Sequence, residues 1–473
     1  MNIKDDFILS KINKGYLVGG SVRDFLMGKH SIDRDIAVKD AENFAKKLAE
    51  QFDTYFVTLD SENKIYRLVL KDKVNCLDIS EMQGNTIEED LLRRDFTINA
   101  IAYDLETEKF IDVTGGLNDL KSGTLRHIKD ENFEEDPLRV LRAFRFAAVT
   151  GFEMSVELQT ALNKYKHLAL KPAKERIMYE ILKLFGGKYA DRALLMLDEY
   201  GILEGIFPCV AEMKKVPPNT HHHLDLFHHV VETVRNIEEL YENSSEAEKE
   251  HLDSVDFGGF PRINHLKLAG FLHDIGKYST WTIQEDGGKC KGNCEVCLQD
   301  SRYCGMRHRF IKHDDAGEKL CKPLLRGLKF SNKQIDYIAL MIKKHIYPSN
   351  VCASPDLSDK VKMRYIRKME NNVIDNIILA KADRLSARGE AITDEMVAEN
   401  LSGLNTLLDF YFQKKEELKP LPKLLDGLEV MEILGIKQGP ILGELLNSLK
   451  EAQLNGDINT KDEAIEYIKK ISC

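Results

Sequence analysis

Short apolar runs recur through roughly the first 120 residues: YLVGG, DIAV, TYFVTL, KIYRLVL, CLDIS and FIDV. Runs of this length, rich in β-branched and aromatic residues and bounded by turn residues, are the pattern of strands. Between them, AENFAKKLAE repeats its apolar positions at helical spacing. From Asp136 to about Tyr200 the period is helical, in PLRVLRAFRFAA and ERIMYEILKLF. VPPNTHHH reads as a Pro-led linker, and helical stretches then continue to about Arg388, broken by a Gly- and Cys-rich loop. The tail to Cys473 is helical too. The pattern predicts an α+β chain: a small mixed α/β head over 1–125 and an all-helical neck over 126–215. A helical unit over 216–400, with a Cys-rich insertion at 286–308, and a helical tail over 401–473 complete it.

At 473 residues, 43% of them hydrophobic, the chain has enough apolar material for about three domains. It contains no run of eighteen apolar residues, and its start has neither a basic n-region nor a small-residue cleavage site. A cytoplasmic location with no membrane partner is therefore the expectation. Sixty-seven Lys and Arg against 77 Asp and Glu give a net charge of −10. That balance disfavours indiscriminate nucleic-acid binding, so DNA is not an expected partner and any polyanion site must be a local patch. Eleven of the 14 His lie between His221 and His345, and four of the nine Cys between Cys290 and Cys304. With no export signal, clustered thiols point to metal before disulfides.

In LVGGSVRDFLMG an apolar strand runs into Gly19 and Gly20 and then a helix opening with Ser21, which offers bare backbone N–H groups to a phosphate. In SIDRDIAV, Asp33 and Asp35 stand at i and i+2 of a strand, so both carboxylates share one face. Like charges so placed call for a cation. Mg²⁺ takes a few carboxylate oxygens and fills its other positions with water and substrate phosphates, so the pair predicts a two-metal phosphoryl-transfer site. Asp78 in VNCLDIS is a candidate third carboxylate.

These motifs, with EDLLRRDFTINAIAYD, FIDVTGGLNDLKSGTLR and EDPLRVLRAFRFAA following in order, resemble the bacterial class II tRNA nucleotidyltransferase and poly(A) polymerase family over at least the first 200 residues. The resemblance implies a nucleotidyltransferase head in which Asp33 and Asp35 hold Mg²⁺ and Asp33, Asp35 and Asp78 are catalytic. It assigns Gly20, Arg23 and Arg94 to nucleotide binding, and Asp136, Arg139, Arg142 and Arg145 to a nucleotide-selecting helix. Three arginines at spacing three lie along one side of a helix and offer rigid forks of donors; the alternative is a solvated helix face. Asp136 can accept from the exocyclic amino group that cytosine and adenine share, so CTP and ATP are the expected substrates, and tRNA the partner. The implied reaction is attack of an RNA 3′-hydroxyl on an α-phosphate with pyrophosphate leaving. One departure stands out. Between Asp78 and Arg93 only a short segment, SEMQGNTIEEDLL, intervenes after the strand, where the family usually has a longer mobile loop. In the family a shortened loop accompanies enzymes that add two cytidines but not the terminal adenosine.

Further on, HHLDLFHHVVETV, FLHDIGK and KADRLSARG place His222, Asp225 and His229 before a helix, then His273, Asp274 and Asp383. The series resembles the HD superfamily of metal-dependent phosphohydrolases. The resemblance implies His229, His273, Asp274 and Asp383 as ligands of a divalent transition metal, with His313 and His345 as candidates for a second. CKGNCEVCLQDSRYC spaces Cys290, Cys294, Cys297 and Cys304 as C-x3-C-x2-C-x6-C, a set suited to Zn²⁺ or an iron–sulfur cluster. The other five cysteines read as ordinary. In the tail, Gly435, Gly439 and Gly443 beside Lys437 suit either backbone contact with an RNA phosphate or close helix crossing. The leading expectation is an enzyme that builds or repairs the tRNA 3′ CCA end, with HD phosphohydrolase activity. A CC-only enzyme, a poly(A) polymerase of the same family, an HD phosphatase with an inactive head and a non-catalytic RNA-binding protein are the alternatives.

Overall fold

The computed structural model describes residues 3–29, 33–285, 306–354, 357–415, 422–455 and 457–472. The chain divides into two compact units, Met1–Val210 with Arg326–Phe330 and Ala211–Leu325 with Ser331–Cys473. Among the described residues no helix is long and apolar enough to cross a membrane.

The first unit is built on a seven-stranded sheet. Its strands are β1 (Tyr16–Val18), β2 (Asp33–Val38), β3 (Phe56–Asp60), β4 (Ile65–Val69), β5 (Cys76–Glu81), β6 (Ile101–Asp104) and β7 (Lys109–Asp112), in the order β3-β4-β5-β2-β1-β6-β7. Every pair is antiparallel except β2 and β5, which run parallel with Asp35 opposite Asp78. The crossover that a parallel pair requires is supplied by helix α2 (Ala41–Gln51) and the β3–β4 hairpin. Helix α2 buries Ala41, Ala45, Leu48 and Ala49, a stripe at helical spacing, in one core with Ile36, Leu68, Leu77 and Ile79 of the sheet.

The neck follows in the same unit. The helix Leu138–Thr150 is buried on nearly all sides, and helices Lys174–Phe185 and Ala190–Glu199 pack against it. It ends at Gly151, whose φ of 72° suits glycine; a Cβ there would sit 2.5 Å from the Tyr189 ring.

The second unit is helical around Leu226–Glu242, Arg262–Leu272, Asn332–Lys344 and Val373–Ser386. Two strand pairs modify the expected all-helical character. Thr124–Leu125 pairs with Glu153–Met154 in the neck, and Trp281–Glu285 pairs antiparallel with Met306–Phe310. Two-residue strands leave no readable period, and the hairpin strands stand at the two ends of the Cys-rich insertion, far apart in sequence.

His265 is fully buried in this unit. Its Nδ1 donates to the Pro261 carbonyl (3.1 Å), so Nε2 accepts from the Gln334 amide at 3.2 Å. Burial holds its pKa down to about 4, with the neighbouring Arg262 acting in the same direction. A histidine whose pKa falls on folding stabilises the fold above its unfolded value, and that contribution is lost as the pH drops through the folded value. We expect unfolding free energy to fall by about 3 kcal/mol between pH 7 and pH 4 through this group. Urea denaturation of the wild type and His265→Gln across that range checks it: the substitution should flatten the acid limb.

Candidate functional site

Two constellations come together, one in each unit. In the first, β1 ends at Val18 and the chain turns through Gly19 into helix α1 (Gly20–Leu26). Gly19 has φ 68° and ψ −136°, a conformation open to glycine, and a Cβ there would lie 3.1 Å from Arg94 Nη1 and 3.5 Å from Asp35 Oδ2. The Ser21 hydroxyl donates to the Asp33 carbonyl (3.1 Å) and accepts from the Asp35 amide (3.0 Å), which fixes the start of β2 against α1. The β2/β5 register then sets Asp78 beside Asp35, and Arg67 of β4 grips Asp78 through two hydrogen bonds of 2.7 and 2.6 Å. Burial first, then the charges of Asp78 and Asp33, push the Asp35 carboxyl up to about 6, while Arg94 acts against them. Such a cluster favours a cation, and its acidic oxygens suit Mg²⁺.

These carboxylates line a cleft of about 740 Å³ together with Gly19, Gly20, Arg23, Arg94, Asp136, Arg139, Arg142 and Arg145. The three helix arginines do not form a solvated face. Arg139 donates to the carbonyls of Asn132 (3.0 Å) and Arg93 (2.8 Å). Arg142 donates from Nε to Asp95 at 2.7 Å and pairs with it again through Nη2; Arg145 Nε lies 2.7 Å from Glu180. Asp136 accepts from the Leu138 amide and from Arg176 (2.9 Å), and Arg94 is held by Asp90 at 2.8 Å. Despite burial, Arg142 and the Asn99 amide hold the Asp95 carboxyl down at about 2. Burial pulls Arg145 down to about 10. The guanidinium groups of Arg23, Arg142 and Arg145 all lie over the Phe146 ring, at 5.2, 5.3 and 3.9 Å.

The second constellation gathers residues from five helices and their ends. Asp225 caps the helix Leu226–Glu242 by accepting the His228 amide at 3.0 Å, so His229 lies within that helix instead of preceding it. His273 ends the helix Arg262–Leu272 and Asp274 follows beyond it, which lets adjacent side chains converge on one point. His229 Nε2 lies 3.4 Å from Asp274 Oδ2 and 3.2 Å from Asp383 Oδ1; His273 Nε2 lies 3.1 and 3.5 Å from the same atoms. The other Asp274 oxygen, Oδ1, faces His313 (3.2 Å) and His345 (3.6 Å). His273, His313 and His345 each direct Nδ1 to a backbone carbonyl, of Gly270, Phe310 and Ile342, at 2.7–2.8 Å, and His229 Nδ1 lies 3.4 Å from the Ser386 carbonyl. That arrangement fixes the tautomer and turns each Nε2 lone pair inward.

Among the described residues, two sets have ligand atoms within 4.8 Å of one another: His222, His229, Asp274 and Asp383, and His273, Asp274 and His345. His229 Nε2, His273 Nε2 and both Asp274 oxygens are buried, and what faces them is one another, the neighbouring imidazoles, Asp383 and, at Asp274 Oδ2, Lys277. Buried donors and carboxylates of this kind fit divalent metal. Cys290, Cys294, Cys297 and Cys304 lie outside the described residues.

Comparison with known proteins matches three stretches of the chain. The Poly A polymerase head domain matches residues 15–126, the probable RNA and SrmB-binding site of polymerase A residues 151–214, and the HD domain residues 226–388. An A-adding tRNA nucleotidyltransferase of Deinococcus radiodurans is 30% identical over 460 residues, covering 96% of this chain and 94% of the relative. The chain belongs to the tRNA nucleotidyltransferase family. A CC-adding member of that family from Thermus thermophilus is 29% identical, covering 98% of this chain and 95% of its own. A CCA-adding enzyme of Ligilactobacillus salivarius is 28% identical, covering 99% and 98%. The fold is that of the Bacillus stearothermophilus CCA-adding enzyme solved in complex with CTP, with a TM-score of 0.56 and 21% identity over 97% of this chain and 93% of that one.

Set against that family, the sequence reading missed the groups that hold the arginines. Asp95, Asn99, Glu180 and Phe146 carry no spacing signal of their own, although RRDFTINA contains the first two. The tail glycines do not mediate close helix crossing: a Cβ at Gly435 or Gly443 would meet nothing within 4 Å, and at Gly439 only the Lys437 carbonyl at 4.0 Å. Replacing Asp95 by Asn should reduce nucleotide incorporation by about a hundredfold, because Arg142 loses its anchor. The same change is expected to destabilise the unit by about 2 kcal/mol, since it takes the charged partner from a half-buried guanidinium. Single-turnover incorporation and thermal unfolding check the two effects.

Proposed function

We propose that this chain builds or repairs the 3′ CCA end of tRNA from CTP and ATP. The observation that carries the reading is a single cleft in which Asp33, Asp35 and Asp78 stand with the arginines of the helix Leu138–Thr150. In this reading Asp33 and Asp35 hold Mg²⁺, whose charge stabilises the entering and departing oxygens. Gly20, Arg23 and Arg94 bind the nucleotide, with Arg23 Nη1 donating to the Asn99 side-chain oxygen Oδ1 at 2.7 Å. Asp136 accepts from the base amino group and Arg139 donates to the base edge, while Arg142 and Arg145, oriented by Asp95 and Glu180, complete the selecting helix. The open glycines near Lys437 suit contact with tRNA phosphate by backbone N–H groups. The location is cytoplasmic, and Zn²⁺ is the ion proposed for Cys290, Cys294, Cys297 and Cys304.

One observation favours a second reading, addition of CC alone. The segment between Asp78 and Arg93 is short and folded into the end of β5 and the helix Ile87–Leu92, capped by Thr86. Incubating tRNA that lacks its last three nucleotides with CTP and ATP, then sequencing the product, should give CCA ends; uniform CC ends would establish the second reading. Replacing Asp33 and Asp35 together by Ala should abolish incorporation.

The HD-type centre, in the same proposal, hydrolyses phosphate esters with a divalent transition metal held by His229, His273, Asp274 and Asp383 and a second by His313 and His345. RNA ending in a 2′,3′-cyclic phosphate should be opened with one of Mg²⁺, Mn²⁺, Co²⁺ or Ni²⁺ and not after Asp274→Ala. Ends left intact with all four ions would remove this activity.

A further inference from the structure

His222 belongs to neither of the motif positions assigned to the metal centre, yet it is prepared in the same way as the residues that do. Its ring meets His229 edge to face, with centroids 4.7 Å apart and planes at 87°. Its Nδ1 lies 3.4 Å from Asn219 Oδ1, an oxygen that also accepts the backbone amides of His221 (3.0 Å) and His222 (3.3 Å). The short turn is closed by reciprocal backbone bonds between Asn219 and His222. An oxygen at Nδ1 selects the tautomer whose Nε2 lone pair faces the centre, as at His273, His313 and His345.

What faces that lone pair is a positive charge. Lys277 Nζ lies 3.2 Å from His222 Nε2 and 2.6 Å from Asp274 Oδ2. The ammonium thus bridges a neutral nitrogen donor and a carboxylate whose oxygens face four other imidazoles. Side-chain donors of His222, His229, Asp274 and Asp383 all come within 4.8 Å of one another, and Lys277 occupies one side of that set.

We propose that His222 is a further ligand of the HD-type centre, beside His229, Asp274 and Asp383, and that the Lys277 ammonium is an internal competitor that leaves His222 when a divalent ion binds. The inference rests on the metal reading of that centre. A lysine there neutralises the carboxylate before loading and then becomes free to meet an anionic group of the substrate. Its cost is a weaker apparent affinity for metal, because the ion must displace a charge already in place.

Full-length protein titrated with Co²⁺ alone separates the possibilities. A histidine that binds Co²⁺ through Nε2 keeps its Nδ1 proton, which gives a strongly shifted, solvent-exchangeable proton resonance; carboxylates and thiolates give none. Ligation by His222, His229, His273, His313 and His345 predicts five such resonances. His222→Phe should leave four and raise the Kd for Co²⁺ by at least about tenfold. Lys277→Met, which keeps the stem without the charge, should retain five and lower the Kd. A wild type with four resonances, unchanged by His222→Phe, overturns His222 as a ligand. Weaker Co²⁺ binding by Lys277→Met overturns the competitor role. A wild type with no such resonance overturns the metal reading itself.

Discussion

The constraint on which the catalytic half of this molecule depends is the parallel pairing of β2 with β5. It puts Asp35 opposite Asp78 with Asp33 two residues away on the same strand, three carboxylates in a small volume of partly buried space. Left alone, such charges repel and lose hydration, and Asp35 records the cost in its raised pKa. The surrounding fold manages the repulsion by grading it. Arg67 neutralises Asp78, Arg94 reaches in from the far side past Gly19, and the remaining acidity is directed to the cleft, where a cation can meet it.

The same economy governs the helix Leu138–Thr150, to which nucleotide selection is proposed. An exposed arginine has many rotamers, and one aimed at a base edge must first be ordered. Here Asp95 and Glu180 hold Arg142 and Arg145, backbone carbonyls hold Arg139, and the Phe146 ring gives three guanidinium groups a common surface. The guanidinium groups are therefore held in place by the protein's own groups, the preorganisation that the proposed nucleotide selection calls for. The second unit uses backbone carbonyls for the same purpose: they hold the imidazole Nδ1 atoms so that the Nε2 lone pairs converge on Asp274.

Much of this was legible in the residues. Strand and helix periods separated a sheet-bearing head from a mostly helical remainder, the Asp33/Asp35 spacing predicted one shared face, and the ordered His and Asp residues pointed to groups that come together as candidate metal ligands. Less legible were the residues whose purpose is to hold another residue. Asp95 and Glu180 are 85 positions apart, and Asn219 lies in a linker of no evident pattern. His222 was visible as one of several neighbouring histidines, but nothing in HHLDLFHH distinguishes the ring facing the centre from those that do not.

Sequence alone determined which chemistry was available: acidic pairs for Mg²⁺, arginine forks for phosphate and base edges, imidazoles and carboxylates for a transition metal. These follow from residue type and short spacing, since local periodicity fixes which neighbours share a face. Tertiary structure alone decided the partnerships: Asp78 against Asp35 and Arg67, Asp95 beneath Arg142, Lys277 between His222 and Asp274. Apart from the local Lys277–Asp274 pair, contacts of that kind are set by strand order and helix packing between residues 11 to 55 positions apart, where spacing along the chain carries no information about distance in space.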